Sequence, residues 1–165
     1  LLEHQGATGN RRKDGVARTR IACQHRNIDL FTGIDRLKIA ERLAAQRPAG
    51  LPPLNVCLQV NVSGEASKSG CAPSEAPALA AAIAHLPGLR LRGLMTIPEP
   101  TDDATLQRRR FASLRETLAS ISAQTGSRLD TLSMGMSDDL EAAIMEGASI
   151  VRIGTAIFGQ RNYTT

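Results

Sequence analysis

Short apolar segments alternate with helical segments between residues 28 and 153, and no other feature constrains the fold as strongly. Hydrophobic periodicity predicts strands at 28–32, 54–62, 89–95, 129–133 and 150–153. It predicts helices between them at 35–46, 73–85, 102–122 and 137–146. Strands and helices in this order form βαβ units around a parallel sheet. The sequence therefore predicts an α/β fold, either an open doubly wound sheet or the later half of a barrel.

The motifs and the length of the chain bear on this choice. Neither G-x-G-x-x-G nor G-x-x-x-x-G-K-[ST] follows a predicted strand, which disfavours the doubly wound option without excluding it. A complete (β/α)8 barrel needs about 250 residues, or roughly 200 at the least. The chain has 165 residues, so a complete barrel is excluded. We expect a single incomplete parallel α/β domain at 28–165.

The positive charge is concentrated at the start of the chain. Residues 1–27 hold six of the Lys and Arg residues but only two acids, which accounts for the whole net charge of +4. A basic segment of this kind is found in nucleic-acid binders and at membrane surfaces. We prefer the alternative of an irregular, solvated segment, because aromatic residues and a regular element to present the charges are missing.

The cysteines and the hydropathy indicate a reducing compartment. Cys23, Cys57 and Cys71 are widely spaced and odd in number, which argues against a disulfide framework and against a zinc site. No apolar run reaches the length of a transmembrane helix. The first residues do not resemble a signal peptide. We therefore expect a cytoplasmic protein without a bound metal.

A glycine turn follows the predicted strand at 129–133 and leads into a helix. Gly135 would let the backbone approach a ligand, and the Ser137 hydroxyl and the first N–H groups of the helix would form an anion pocket. The alternative is that Ser137 merely caps the helix. An anion would have to approach from the side of Met136 and Ser137, because three acids follow: Asp138, Asp139 and Glu141.

Arg152 stands within the apolar segment 150–153, where a buried guanidinium needs hydrogen-bond acceptors. Its partner could be a carboxylate such as Asp130, or a ligand at the end of the strand. Gly154 and Thr155 follow with backbone N–H groups and a hydroxyl. With Ser137 they could hold one phosphate between two neighbouring strand ends, as loops after the last strands of barrels do.

Four segments resemble the pyridoxal phosphate homeostasis family, which is related to the barrel domain of alanine racemase. They are IDRLKIAERL, PPLNVCLQVNVSGEASKSG, LRLRGLMTIPEP and LSMGMSDDLEAAIMEGASIVRIGTAIFGQR, and they cover about residues 28–163. The resemblance implies a (β/α)8 barrel of the alanine racemase N-terminal type that binds pyridoxal 5′-phosphate (PLP). It implies a protein that buffers and delivers PLP and influences amino-acid and keto-acid balance, without strong catalytic turnover.

The resemblance also assigns roles to residues. Ser137, Gly154 and Thr155 would hold the phosphate, with help from the backbone of Met136, and Arg152 would face the pyridine nitrogen. A cation at that nitrogen disfavours its protonation and makes the ring a weaker electron sink. Arg152 therefore suits a carrier or a racemase-like protein better than a transaminase, and no catalytic residue is assigned.

The chain departs from the family pattern at its beginning. The family's cofactor lysine lies in a segment similar to AVSKTK, and a stretch of the type FIGxLQxNK follows; this chain contains neither. Its lysines are Lys13, Lys38 and Lys68. We therefore expect a barrel that is truncated before residue 28, with impaired PLP binding, no lysine linkage at the family's position, and low stability or dimerisation through an exposed sheet edge. Lys68 would be a solvated loop cation or a secondary contact for an anion or aldehyde.

The resemblance leaves other functions open. One is a PLP-dependent amino-acid racemase, although two-base racemisation needs groups on both faces of the substrate and Tyr163 is the only tyrosine. Another, weaker alternative is nucleic-acid binding through residues 1–27. PLP-dependent apoenzymes are the expected partners for cofactor delivery, and the family itself is monomeric.

Overall fold

The computed structural model describes residues 30–65 and 67–159. Helices and strands alternate in chain order as β1 (Leu30–Ile34), α1 (Leu37–Gln46), β2 (Leu54–Gln59), α2 (Ala76–Ala84), β3 (Leu89–Met95), α3 (Ala104–Thr125), β4 (Thr131–Ser133), α4 (Leu140–Met145) and α5 (Thr155–Phe158). The expectations for residues 1–27, for Lys13 and for Tyr163 lie outside the described residues. No helix in the described ranges has both the length and the apolar character needed to cross a membrane.

The four strands form one parallel sheet in the order β1-β2-β3-β4. Each strand therefore pairs with the next strand along the chain. A doubly wound sheet reverses its strand order at a switch point, which is where its ligand binds. The consecutive order is instead that of a barrel wall, so the structure selects the barrel from the two predicted architectures.

The core lies between the sheet and the helices. Alternate residues of β2 point towards the helices and are fully buried: Leu54, Val56 and Leu58. Each large apolar side chain buried in this way stabilises the fold by about 1.5–3 kcal/mol. Their partners come from three helices and include Leu43, Ile83, Phe111 and Leu114.

The face of the sheet that looks away from the helices is polar at its amino end. The Arg92 guanidinium donates to both carboxylate oxygens of Asp130, at 3.0 and 2.8 Å, and to the side-chain oxygen of Asn55 at 3.5 Å. Thr131 donates its hydroxyl to the same carboxylate at 2.9 Å. These contacts connect β2, β3 and β4 at the end of the sheet opposite to the candidate site.

β3 and β4 approach each other closely at Gly93. Gly93 pairs with Thr131, and a Cβ atom at position 93 would lie 1.8 Å from the Thr131 carbonyl oxygen. Any side chain there would collide with backbone that cannot move without breaking the ladder. Glycine is therefore required for this pairing of β3 with β4.

The fifth strand predicted at 150–153 is wrong as a full strand. Ile150 forms a single parallel bridge to Ser133, and Arg152 N–H donates to the Gly135 carbonyl at 3.0 Å. The physical reason lies in β4, which ends at Ser133. Gly135 has φ +93°, so its backbone is not extended and no regular ladder can continue beside 151–153.

Each of the four predicted helices begins two or three residues after its predicted start. The helix predicted at 35–46 begins at Leu37, and the Asp35 carboxylate accepts hydrogen bonds from the Arg36 guanidinium rather than capping the helix. The helix predicted at 137–146 begins at Leu140. The intervening residues form an irregular turn, which places Ser137 before the helix rather than on it.

α4 is anchored to α3 by a buried carboxylate. Glu146, at the end of α4, is 5% exposed and accepts hydrogen bonds from Arg108, at 2.8 and 2.9 Å, and from Arg115. These bonds, that to Arg108 above all, hold the pKa of the Glu146 carboxyl below its ordinary value. The position of the turn before α4 therefore depends on an ion-pair cluster as well as on apolar packing.

Candidate functional site

Arg152 is the charged residue that the structure places across the carboxyl ends of β3 and β4. Its Nη1 donates to the Ser133 hydroxyl at 2.7 Å, and its Nη2 donates to the Thr96 carbonyl at 2.8 Å. Both acceptors come from residues at the end of a strand, where parallel α/β folds bind their ligands. The guanidinium is half-buried. It is therefore aimed at the edge of the sheet rather than into solvent.

The charge of Arg152 is not neutralised by an ion pair within the described residues. The carboxylate partner considered from the sequence, Asp130, binds Arg92 instead. Burial lowers the pKa of the Arg152 guanidinium, and the negative charge of Asp139 opposes that shift. Because arginine stays protonated in proteins, the lowered pKa reports a cost of burial that Asp139 offsets only in part, rather than a loss of charge. A ligand with an electron pair or a negative charge would offset that cost.

Ser137 connects the turn after β4 to the last described helix. Its hydroxyl oxygen accepts a hydrogen bond from the backbone N–H of Ala156 at 3.1 Å. The reading of Ser137 as the cap of the following helix is wrong, because that helix has Asp139 at its N-cap and no side-chain capping bond. The structure thus brings Ser137 together with the segment that contains Gly154 and Thr155, as the two-strand phosphate hypothesis requires.

The backbone N–H of Met136 already has a partner. It donates to the Asp139 carboxylate at 2.6 Å. The sequence does not predict this contact, and the family resemblance assigns the Met136 backbone to the phosphate instead. The acid that follows the turn therefore occupies the donor that an anion would use, and an anion competes with Asp139 for it.

Two glycines at the site have different surroundings. Gly135 has φ +93°, and a Cβ there would lie 2.5 Å from the Cβ of Ala143 on α4. A Cβ at Gly154 would meet no atom within 4 Å. Gly135 therefore serves the packing of the turn, whereas the backbone at Gly154 borders open space in which a ligand atom can lie. Thr155 next to it is exposed.

The sequence assigned no hydrogen-bonding role to Ser133 or Thr96, although both lie at or just after the predicted end of a strand. Ser133 is 1% exposed, and Thr96 is fully buried. The only available signal was that both are polar residues at the carboxyl end of an apolar strand. A sequence pattern does not distinguish such a residue from one whose hydroxyl only satisfies the neighbouring backbone.

Lys68 lies apart from this cluster in the sheet order. It follows β2, whereas Ser137 follows β4 and β3 lies between them. Lys68 lines an open cavity of about 580 Å3 together with Arg36 and Glu75.

The described cysteines are not reactive groups, because burial raises the pKa of Cys57 to about 12 and that of Cys71 to about 11. No group of residues suited to a metal ion occurs in the described part of the chain.

Two bacterial proteins with similar sequences carry the same name. The chain is 70% identical over 130 residues to a pyridoxal phosphate homeostasis protein of Pseudomonas aeruginosa, covering 79% of this chain and 55% of that protein. It is 50% identical over 147 residues to the protein of the same name from Escherichia coli K12, covering 89% and 62%. The chain thus spans less than two thirds of the length of these relatives.

The fold and the family follow from two further comparisons. The solved structure of PipY from Synechococcus elongatus with PLP bound superposes with a TM-score of 0.74 at 32% identity, covering 87% of this chain and 66% of PipY. The family described as "Alanine racemase, N-terminal domain" matches residues 12–162. The consecutive parallel strands are part of a barrel of that type. This chain therefore belongs to the alanine racemase N-terminal domain family.

Proposed function

We propose that the chain binds PLP at the carboxyl ends of β3 and β4 and acts in PLP homeostasis, as a protein that binds, buffers and delivers the cofactor. The single observation that carries the proposal is the Arg152 guanidinium, held at the strand ends by two neutral acceptors. The names of the relatives and the PLP-bound PipY structure support the choice of ligand.

The residues present fit a phosphorylated pyridine ring at two points. Arg152 offers a half-buried cation with N–H donors beyond the two that are bound, and no carboxylate of the described chain pairs with it. Gly154 offers backbone beside open space, and Ser137 and Thr155 offer hydroxyls on the two segments joined by the Ser137–Ala156 contact. A phosphate needs this combination of small residues and hydroxyl and N–H donors.

In the proposed complex, Ser137, Gly154 and Thr155 hold the phosphate and Arg152 faces the ring nitrogen. Bound PLP supplies an electron-withdrawing ring. Arg152 would disfavour protonation of the ring nitrogen, because two neighbouring positive charges repel each other. Met136 donates its N–H to the phosphate only if the Asp139 carboxylate releases it. Because the phosphate and the Asp139 carboxylate compete for this N–H, we expect the affinity for PLP to be moderate.

We expect no lysine linkage to PLP from the two lysines of the described residues. Lys38 lies exposed on α1, and Lys68 follows β2. Neither follows β3 or β4, where the proposed phosphate and ring contacts lie. The affinity would then rest on the phosphate and on Arg152, and we expect it to be impaired relative to a lysine-linked relative.

The test is an absorbance titration of the purified protein with PLP, compared with pyridoxal and with inorganic phosphate. Arg152→Met should weaken PLP about 10- to 100-fold, since a hydrogen bond from a charged group contributes about 1.5–3 kcal/mol. Arg109→Met replaces an exposed arginine of α3 and is the matched control. Equal PLP affinity of the Arg152 and Arg109 variants, or equal affinity of the parent for PLP and pyridoxal, would contradict the proposal.

A racemase-like activity is less well supported. It needs acid–base groups on both faces of a substrate. The cluster around Arg152 brings together one cation and several hydroxyls, without a second base from the described residues. Delivery of PLP to apoenzymes and residence in the cytoplasm are further parts of this proposal.

A further inference from the structure

Two neutral acceptors on neighbouring strands define the orientation of the Arg152 guanidinium. The Ser133 hydroxyl at the end of β4 accepts from Nη1, and the Thr96 carbonyl after β3 accepts from Nη2. The Arg152 backbone is fixed separately by its N–H bond to the Gly135 carbonyl. A planar group bound at both of its terminal nitrogens cannot rotate about its Nε–Cζ bond without breaking a contact.

Thr96 is itself held by the strands on both sides of it. Its hydroxyl donates to the Val60 carbonyl at 2.8 Å, and its N–H donates to the Ser133 carbonyl at 3.1 Å. Both Thr96 and Val60 are fully buried. The carbonyl that accepts from Arg152 is therefore held in place by the ends of β2, β3 and β4 together.

The neutrality of the acceptors matters as much as their position. A carboxylate at position 133 would pair with the guanidinium and cancel the charge that attracts a ligand. A hydroxyl accepts the same hydrogen bond without cancelling that charge. Ser133 is 1% exposed, so its hydroxyl is not accessible to contact a ligand directly.

We propose that Ser133 is a positioning residue: the Ser133 hydroxyl fixes the plane in which the Arg152 guanidinium meets the pyridine ring. Thr96 supports this role through its carbonyl. The ligand part of this inference rests on the proposed function. The residue acts through Arg152 and does not itself hold the phosphate.

The first experiment uses the ligand-free protein and does not depend on PLP binding. NMR of the arginine side chains should show slowed rotation about the Nε–Cζ bond and separate Nη signals for Arg152. In Ser133→Ala, rotation about this bond should become fast, and the separate Nη signals should merge into one. Ser133→Thr, which keeps the hydroxyl, should restore them. Ser127→Ala, which removes an exposed serine before the amino end of β4, is the control.

The second experiment separates the ring from the phosphate. Ser133→Ala should weaken PLP binding about tenfold, which corresponds to the roughly 1.4 kcal/mol of one hydrogen bond to a charged group. It should leave the affinity for inorganic phosphate unchanged, because the phosphate contacts are on other residues. Thermal unfolding of each variant establishes that it is folded.

The outcomes distinguish the two proposals. Unchanged Arg152 signals in folded Ser133→Ala, or an equal loss of affinity for PLP and for phosphate, would overturn the positioning role. A parent protein that fails to bind PLP would refute the proposed function, and the ligand-free NMR comparison would still decide the role of Ser133.

Discussion

Gly135 and Gly154 form a natural pair for testing the site, because alanine should lower stability at position 135 and weaken PLP binding at position 154. Gly135→Ala places a side chain at φ +93° and a Cβ 2.5 Å from the Cβ of Ala143. The strained backbone costs about 1–2 kcal/mol, and the overpacking costs about 1–3 kcal/mol. The free energy of unfolding should therefore fall by about 2–5 kcal/mol, which is roughly 5–20 °C in the melting temperature of a domain of this size.

Gly154→Ala should leave stability within about 1 kcal/mol of the parent, because no atom lies within 4 Å of the new Cβ. The methyl group would instead occupy the space proposed for the phosphate and weaken PLP binding. Circular dichroism melts give the stability, and absorbance titration gives the affinity. The reasoning is refuted if Gly135→Ala melts with the parent, or if Gly154→Ala binds PLP as tightly as the parent does.

Four further predictions concern charge, thiols and assembly. The stabilisation from Glu146 is full above its ordinary pKa of 4.5 and is lost as the pH falls through the lowered value, so Glu146→Gln should flatten the acid side of the stability profile measured by urea unfolding. Asp139→Asn removes a negative charge beside the turn and should raise the affinity for inorganic phosphate about fivefold at low salt, by calorimetry; an unchanged affinity would contradict the assigned repulsion. In a Cys23→Ser background, Cys57 and Cys71 should not react with a thiol reagent at pH 8 until the protein unfolds, because burial has raised their pKa values to about 12 and about 11. The melting temperature should rise with protein concentration, because β1 has a strand partner on only one side in the described sheet; a midpoint independent of concentration would argue against dimerisation through that edge.

The regular elements could be predicted where local signals agree. The strand at 89–95 matches the prediction. Its first leucines alternate with Arg90 and Arg92, and the segment is bounded by Gly88 and by the polar Thr96. The long helix also occurs close to the predicted range, since Asp103 caps its start and Gly126 ends it with φ +66°. These limits depend on residues a few positions apart.

The features that failed depend on distant residues. The end of β4 and the loss of the fifth strand follow from the left-handed backbone of Gly135, where contact with Ala143 would leave no room for a Cβ. The periodicity of the segment 150–153 contains no trace of that contact.

The sequence predicted the charged residue of the candidate site but not its hydrogen-bond partners. Arg152 stood out because a cation in an apolar segment is unusual. Its acceptors could not be chosen from the sequence, because Asp130 and Ser133 are close in sequence and either was chemically suitable. The structure resolves the choice through Arg92, which occupies Asp130. The contact of Asp139 with Met136 was missed for a related reason, since it depends on the shape of an irregular turn.

The close approach at Gly93 has a consequence for where charge can be placed in this protein. Gly93 opposite Thr131 sets Met95 opposite Ser133, two residues further along both strands. A slip of β4 by one residue would bring Leu132 or Met134 beneath the guanidinium and leave a cation against hydrocarbon. Glycine at position 93 thus fixes the register of β4 against β3. The charge environment of Arg152 at the carboxyl end of the sheet depends on that register.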